Sequence, residues 1–112
     1  MVNRFISWCG PVKAHDICGT AAALVSGNRA STHGDKWTNH ANIAALWSAY
    51  LEVRITPLDA ALMMGLLKIA RTKTGTHNND DYIDLAGYAG CAGEIAERIK
   101  GEPAKEIEGE GA

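Results

Sequence analysis

No stretch of this 112-residue chain is apolar enough to cross a bilayer. Its longest run, AALMMGLLKIA, is too short and too interrupted. The opening MVNRFISWCGPVKAH carries one Arg and scattered apolar residues, so no secretion signal is expected there. Cysteine is scarce as well. Cys9, Cys18 and Cys91 are odd in number, widely spaced and without a CxxC pair. That pattern excludes a disulfide frame and a cysteine-rich zinc site, and it fits a reduced cytoplasmic protein. An excess of positive charge is missing too. With a formal net charge of −2, no overall field draws the chain onto nucleic acid or an anionic membrane, so neither is expected as a partner. Any anion it binds must be held by local groups. Nor does the chain contain a P-loop, a GxGxxG turn or a GxSxG elbow.

What remains is the composition of one globular domain, 46% hydrophobic and 21% charged. Its patterning is helical, with no convincing strand pair, and predicts an all-α four-helix bundle over residues 1–100. Ile17, Ala21, Leu24 and Val25 repeat at helical spacing across residues 13–26. SGNRASTHG then reads as a loop. A second helix is expected from Asp35 to Leu51, with Trp37, Ala41, Ala44 and Leu51 on one stripe, broadened by Ile43, Leu46, Trp47 and Tyr50. TPLD opens a third, with Thr56 as cap, Pro57 at the first helical position and Asp59 closing a capping box. It should run to about Lys73, stopping before Gly75. The Asn78–Asn79–Asp80 cluster opens a fourth helix reaching about Lys100. Residues 101–112, GEPAKEIEGEGA, are acidic and rich in Gly, which predicts a disordered tail.

Between Pro57 and Ala70 the charged residues are Asp59 and Lys68, so the third helix is apolar nearly all round. Such a helix is buried on more than one side. A monomer of this size struggles to bury it, which predicts a homo-oligomer, most simply a dimer. AGYAGCAG, mostly Ala and Gly, costs helix propensity but lets a neighbouring helix approach closely.

Several positions carry chemistry. Asp81, Asp84, Tyr88, Cys91 and Ile95 fall on one face of the fourth helix. Two carboxylates a turn apart can share a divalent cation such as Mg²⁺. Acids in a first helical turn also complement the macrodipole, which accounts for Asp80 without a ligand. Asp84 lies deeper, and a carboxylate heading for a core needs a partner. Asp59 is explained equally by its capping box or by a metal site. Lys68 and Arg71, three apart, share a face and can both reach a phosphate. At roughly 100° per residue, however, Lys68 lies opposite Asp59 on the helix. In THGDKWTNHAN, Trp37 can stack on a base and Asn39 or Asn42 can read its edge, although core packing is the readier account of Trp37 and a helix cap that of Asp35. His33 and His40 lack the i, i+4 spacing of a metal-binding pair.

The order HGDKW, TPLD, LLKIAR and DDYIDLAGY resembles small helical phage and prophage proteins close to the MazG-like, all-α nucleoside triphosphate pyrophosphohydrolases. It is also similar to a nucleotide-modification-associated phage family with Tyr-Gly-x-x-Trp, Lys-x-x-Arg and Asp-x-x-x-Asp segments. The likeness covers residues 25–95. It implies an oligomeric four-helix fold in the cytoplasm of an infected host, and Mg²⁺ held by Asp81 and Asp84, to which Asp59 is added as a third metal candidate. It further implies a nucleotide whose phosphates meet Lys68 and Arg71 as catalytic groups, with Trp37 and Tyr88 near it; His33, Asp35 and Asn39 are added as nucleotide-binding candidates from the THGDKWTNHAN segment itself. Gly34 and Trp37 match the Gly-x-x-Trp segment. The Glu-Glu-x-x-Glu run that supplies most metal ligands in MazG-like enzymes is replaced here by isolated acids, Asp16, Asp35, Glu52 and Asp59. Three functions stay open at this level. One is Mg²⁺-dependent cleavage of a nucleoside triphosphate to monophosphate and pyrophosphate. The second is an oligomeric sponge for a nucleotide-derived defence signal. The third is a helical protein-binding adaptor.

Overall fold

The structure, a computed structural model, describes residues 10–26 and 35–101. The expectations for His33, Gly34, the SGNRASTHG loop and the acidic tail fall mainly or wholly outside them. Four helices and no strand are found among the described residues: α1 (Ala14–Val25), α2 (Lys36–Leu51), α3 (Pro57–Arg71) and α4 (Asn79–Lys100). The all-α reading therefore holds, with ends displaced by at most two residues.

Local chemistry explains the ends. The backbone N–H of Lys13 donates to Asp16 Oδ2 at 2.9 Å, opening α1. Thr38 N–H donates to Asp35 Oδ1 at 2.7 Å, opening α2. At the other end of α2, Glu52 adopts φ 59°, ψ 37° and donates its N–H to Ser48 O at 2.8 Å. Ser48 Oγ then clamps both polar groups of Ile55, turning the chain into α3. The TPLD box forms as read: Asp59 N–H donates to Thr56 Oγ1 and Thr56 N–H to Asp59 Oδ2, each at 3.0 Å. Asn78 caps α4 through a bond from Asp80 N–H at 2.9 Å.

The longest helix, α4, is the spine, packed chiefly by α3 and α1, while α2 rests mainly on α3. The core is made of small side chains. Ala60, Ala61, Ala92, Ala44 and Ala21 are buried with Ile83, Cys91 and Ile95. Trp37, Leu58 and Ile99 close over Ala61, Ala92 and Ile95. Lys36 ties three helices together, donating to Val25 O of α1 at 3.3 Å and pairing with Glu94 of α4 at 3.4 Å.

Two expectations need correction: Leu46, Tyr50 and Leu51 of the α2 stripe are exposed, and the glycines of AGYAGCAG make few close approaches. On α3, Leu62, Leu66, Leu67 and Ile69 are exposed in the single chain, as expected of a helix that one copy cannot bury. Alanine occupies the inward positions because it lets helix backbones approach, which forces the larger residues outward. Of the three glycines in AGYAGCAG, only Gly87 meets a neighbour, with a Cβ there standing 3.5 Å from Val25 Cγ1; at Gly90 and Gly93 a Cβ would meet open space. Gly65, buried in α3, has ordinary room: a Cβ would lie 3.5 Å from Leu85 Cδ1. Gly65→Ala is therefore expected to stabilise the fold by about 0.5–1 kcal/mol through helix propensity. A urea midpoint that falls would show that α3 and α4 are packed more tightly than this spacing indicates.

Candidate acid–base seam between the last two helices

The last turns of α3 face the first turns of α4 across Gly75, whose φ of +77° suits a residue without a side chain. Two ion pairs bridge this seam. Lys68 Nζ lies 2.8 Å from Asp84 Oδ2, and Arg71 Nε lies 3.7 Å from Asp81 Oδ1. The 2.8 Å contact is a charge-assisted hydrogen bond, whereas the looser one is an ion pair without good hydrogen-bond geometry. Exposure is uneven: the side chains of Lys68 and Asp81 are 15% and 13% accessible, those of Asp84 and Arg71 30% and 63%. One member of each pair is thus largely withdrawn from water. The structure brings together four residues taken from two separate segments of sequence.

Asp59 is not among them. Its carboxylate serves the cap of α3 on an exposed part of the helix, on the opposite side of the helix from Lys68. Among the described residues, no three His, Cys, Asp or Glu side chains are grouped to hold a metal ion. Asp81 and Asp84 already face Arg71 and Lys68. The donor set therefore does not fit a resident Mg²⁺ built from Asp59, Asp81 and Asp84 of one chain.

The nucleoside-contacting set divides as well. Tyr88, one turn beyond Asp84, packs edge-on against His40 with ring centroids 6.3 Å apart. His40 is buried, and its Nδ1 is 2.8 Å from Lys36 O, so it is a satisfied core histidine beside the seam. Its sequence spacing gives it no metal-ligand role, and its i, i+4 relation to buried Ala44 is the signal that places it inward. Trp37 stands elsewhere. The Arg98 guanidinium lies over its ring, 4.1 Å from the centroid, in a cation–π contact. Arg98 follows Asp84 by fourteen residues, roughly 20 Å along α4 at 1.5 Å per residue. Trp37 is therefore no stacking platform for a base held at the seam. Asp35 works as the α2 cap, and the Thr38 backbone N–H holds its carboxyl below the usual value of 3.8. Asn39 is exposed on α2.

Residues 16–96, which include the seam, α2, α3 and most of α1 and α4, match a domain of unknown function, DUF6378. The chain belongs to the DUF6378 family. It is similar to the Gene 55 protein of Mycobacterium phage L5, 48% identical over 75 residues, covering 66% of this chain and 48% of that protein. It is also similar to the Gene 55 protein of Mycobacterium phage D29, 41% identical over 91 residues, covering 80% of this chain and 60% of the relative. The chain thus spans about half to three-fifths of the length of these relatives. No solved structure matches it significantly. The expected phage kinship holds, and a MazG-like one has no support from these relatives. Among the described residues of this DUF6378 chain, no helix is long and apolar enough to cross a membrane.

Proposed function

We propose that this protein is a nucleotide-handling phage protein that binds a phosphate-bearing nucleotide, or a nucleotide-derived signal, at Lys68 and Arg71 without cleaving it. One observation carries the reading: the Lys-x-x-Arg pair of α3 meets the acid pair of α4 as two neighbouring, half-desolvated ion pairs. Such pairs are poor glue, because desolvation offsets most of their attraction. A seam serving stability alone would do as well with apolar side chains. Charge kept there at that cost suits an exchange, in which an incoming phosphate takes over Lys68 and Arg71 and the carboxylates turn to water. Pyrophosphohydrolysis, which the MazG-like resemblance implies, requires a metal-activated water and more carboxylates than this seam supplies.

Calorimetry of the full chain tests it, with ATP, the other ribo- and deoxynucleoside triphosphates, cyclic nucleotides and ADP-ribose as titrants, each with and without Mg²⁺. Binding of at least one of these, absent for the matching nucleoside and with the ligand recovered intact, is the expected result. Silence across the set removes nucleotide handling. Pyrophosphate release would instead establish the hydrolase.

A further inference from the structure

The exposed side of α3 carries a pattern that the seam does not use. Asp59, Leu62, Leu66, Ile69 and Lys73 follow one another at spacings of three, four, three and four residues. This is the heptad seam of a helix that packs along another helix. Leu62, Leu66 and Ile69 are 51%, 62% and 42% exposed, and Asp59 and Lys73 are exposed at the two ends. Lys73 lies just past the last helical residue, yet its N–H still bonds to Ala70 O at 3.1 Å, so the chain keeps near-helical winding there. Met63 and Ala70 flank the stripe and carry no charge.

The charge order says what covers this face. Leu66 is the centre, with Asp59 seven residues before it and Lys73 seven after. A second copy of α3 laid antiparallel about a two-fold axis through Leu66 sets each Asp59 against the partner's Lys73, twice over. A two-fold contact must be self-complementary in this way. The bond from Thr56 N–H to Asp59 Oδ2 leaves the other carboxylate oxygen available to a lysine. We propose that the protein self-associates as an antiparallel dimer through the Leu62–Leu66–Ile69 face of α3, independently of what the acid–base seam binds. Three large side chains bury less than the roughly 800 Å² per partner of a standard interface, so the dimer is a dissociating one.

Sedimentation velocity of the full chain, from low micromolar to submillimolar concentration, provides the test. The average mass of the wild type is expected to rise from monomer towards dimer. Leu66→Lys, at an exposed position that leaves the fold intact by circular dichroism, is expected to remain monomeric throughout. Lys73→Glu, which sets like charges together at both ends, is expected to weaken dimerisation about three- to ten-fold. Leu66→Cys, mildly oxidised, is expected to give a dimer whose disulfide joins the two substituted positions in peptide mapping. A wild type monomeric at every concentration, a dimer that survives Leu66→Lys, or no such cross-link would each overturn the proposal.

Discussion

Ile95→Ala is expected to remove about 2–5 kcal/mol of stability, the range found when a buried isoleucine or leucine is cut to alanine. Ile95 is 2% exposed and stands in a cluster whose other buried members are Ala61 and Ala92. Its side chain spans the gap between α3 and α4 that the alanines leave open. Trp37, Leu58 and Ile99 pack over this cluster from outside and are themselves only partly buried. None of them is placed to collapse fully into the space vacated. Small domains hold about 5–15 kcal/mol in all, so the variant should approach the unfolding threshold and melt some 10–25 °C lower. Urea denaturation of the variant beside Leu46→Ala, an exposed position on α2, measures the contrast. Equal midpoints for the two would show that Ile95 is not the centre of the core.

Helix starts were readable because each rests on a few adjacent residues. Thr56, Pro57 and Asp59 specify a capping box whatever lies around them, and Asn78 accepts from Asp80 N–H in the same local manner. The inward face of α4 was readable too, since Cys91 and Ile95 lie inside while Asp81, Asp84 and Tyr88 stand at its margin. Burial on α3 was not. Hydropathy alone sends Leu62 and Leu66 inward ahead of Ala60 and Ala61, whereas close helix approach rewards the smaller residue. The opposition of Lys68 and Asp59 around α3 did anticipate one outcome, that the two do not serve one site within a single chain. That Lys68 meets Asp84 was outside the reach of spacing, because it depends on the register of α3 against α4 across Gly75.

Asp84→Asn and Lys68→Met are expected to move nucleotide affinity in opposite directions, although the two residues form one ion pair. If phosphate takes over Lys68, the Asp84 carboxylate, 2.8 Å away, competes for that ammonium and also repels the incoming anion. Asn keeps the shape but removes the charge, so binding should tighten by roughly ten-fold, about 1.4 kcal/mol. Lys68→Met keeps the aliphatic stem and deletes the charge that receives phosphate. A charge-assisted hydrogen bond of about 1.5–3 kcal/mol is lost, which weakens binding by roughly ten- to a hundred-fold. Arg71→Met should weaken it less, because the Arg71 side chain is largely solvated and its pairing with Asp81 is long. A purely structural pair predicts something else: both single changes lower the melting temperature, and neither shifts affinity. A metal-dependent hydrolase predicts a third pattern, in which Asp84→Asn loses affinity and only when Mg²⁺ is present. Calorimetry of the two variants with the strongest-binding nucleotide, in EDTA and again in Mg²⁺, separates these outcomes by sign. Weaker binding by Asp84→Asn in EDTA would eliminate the charge exchange on which nucleotide capture at this seam depends.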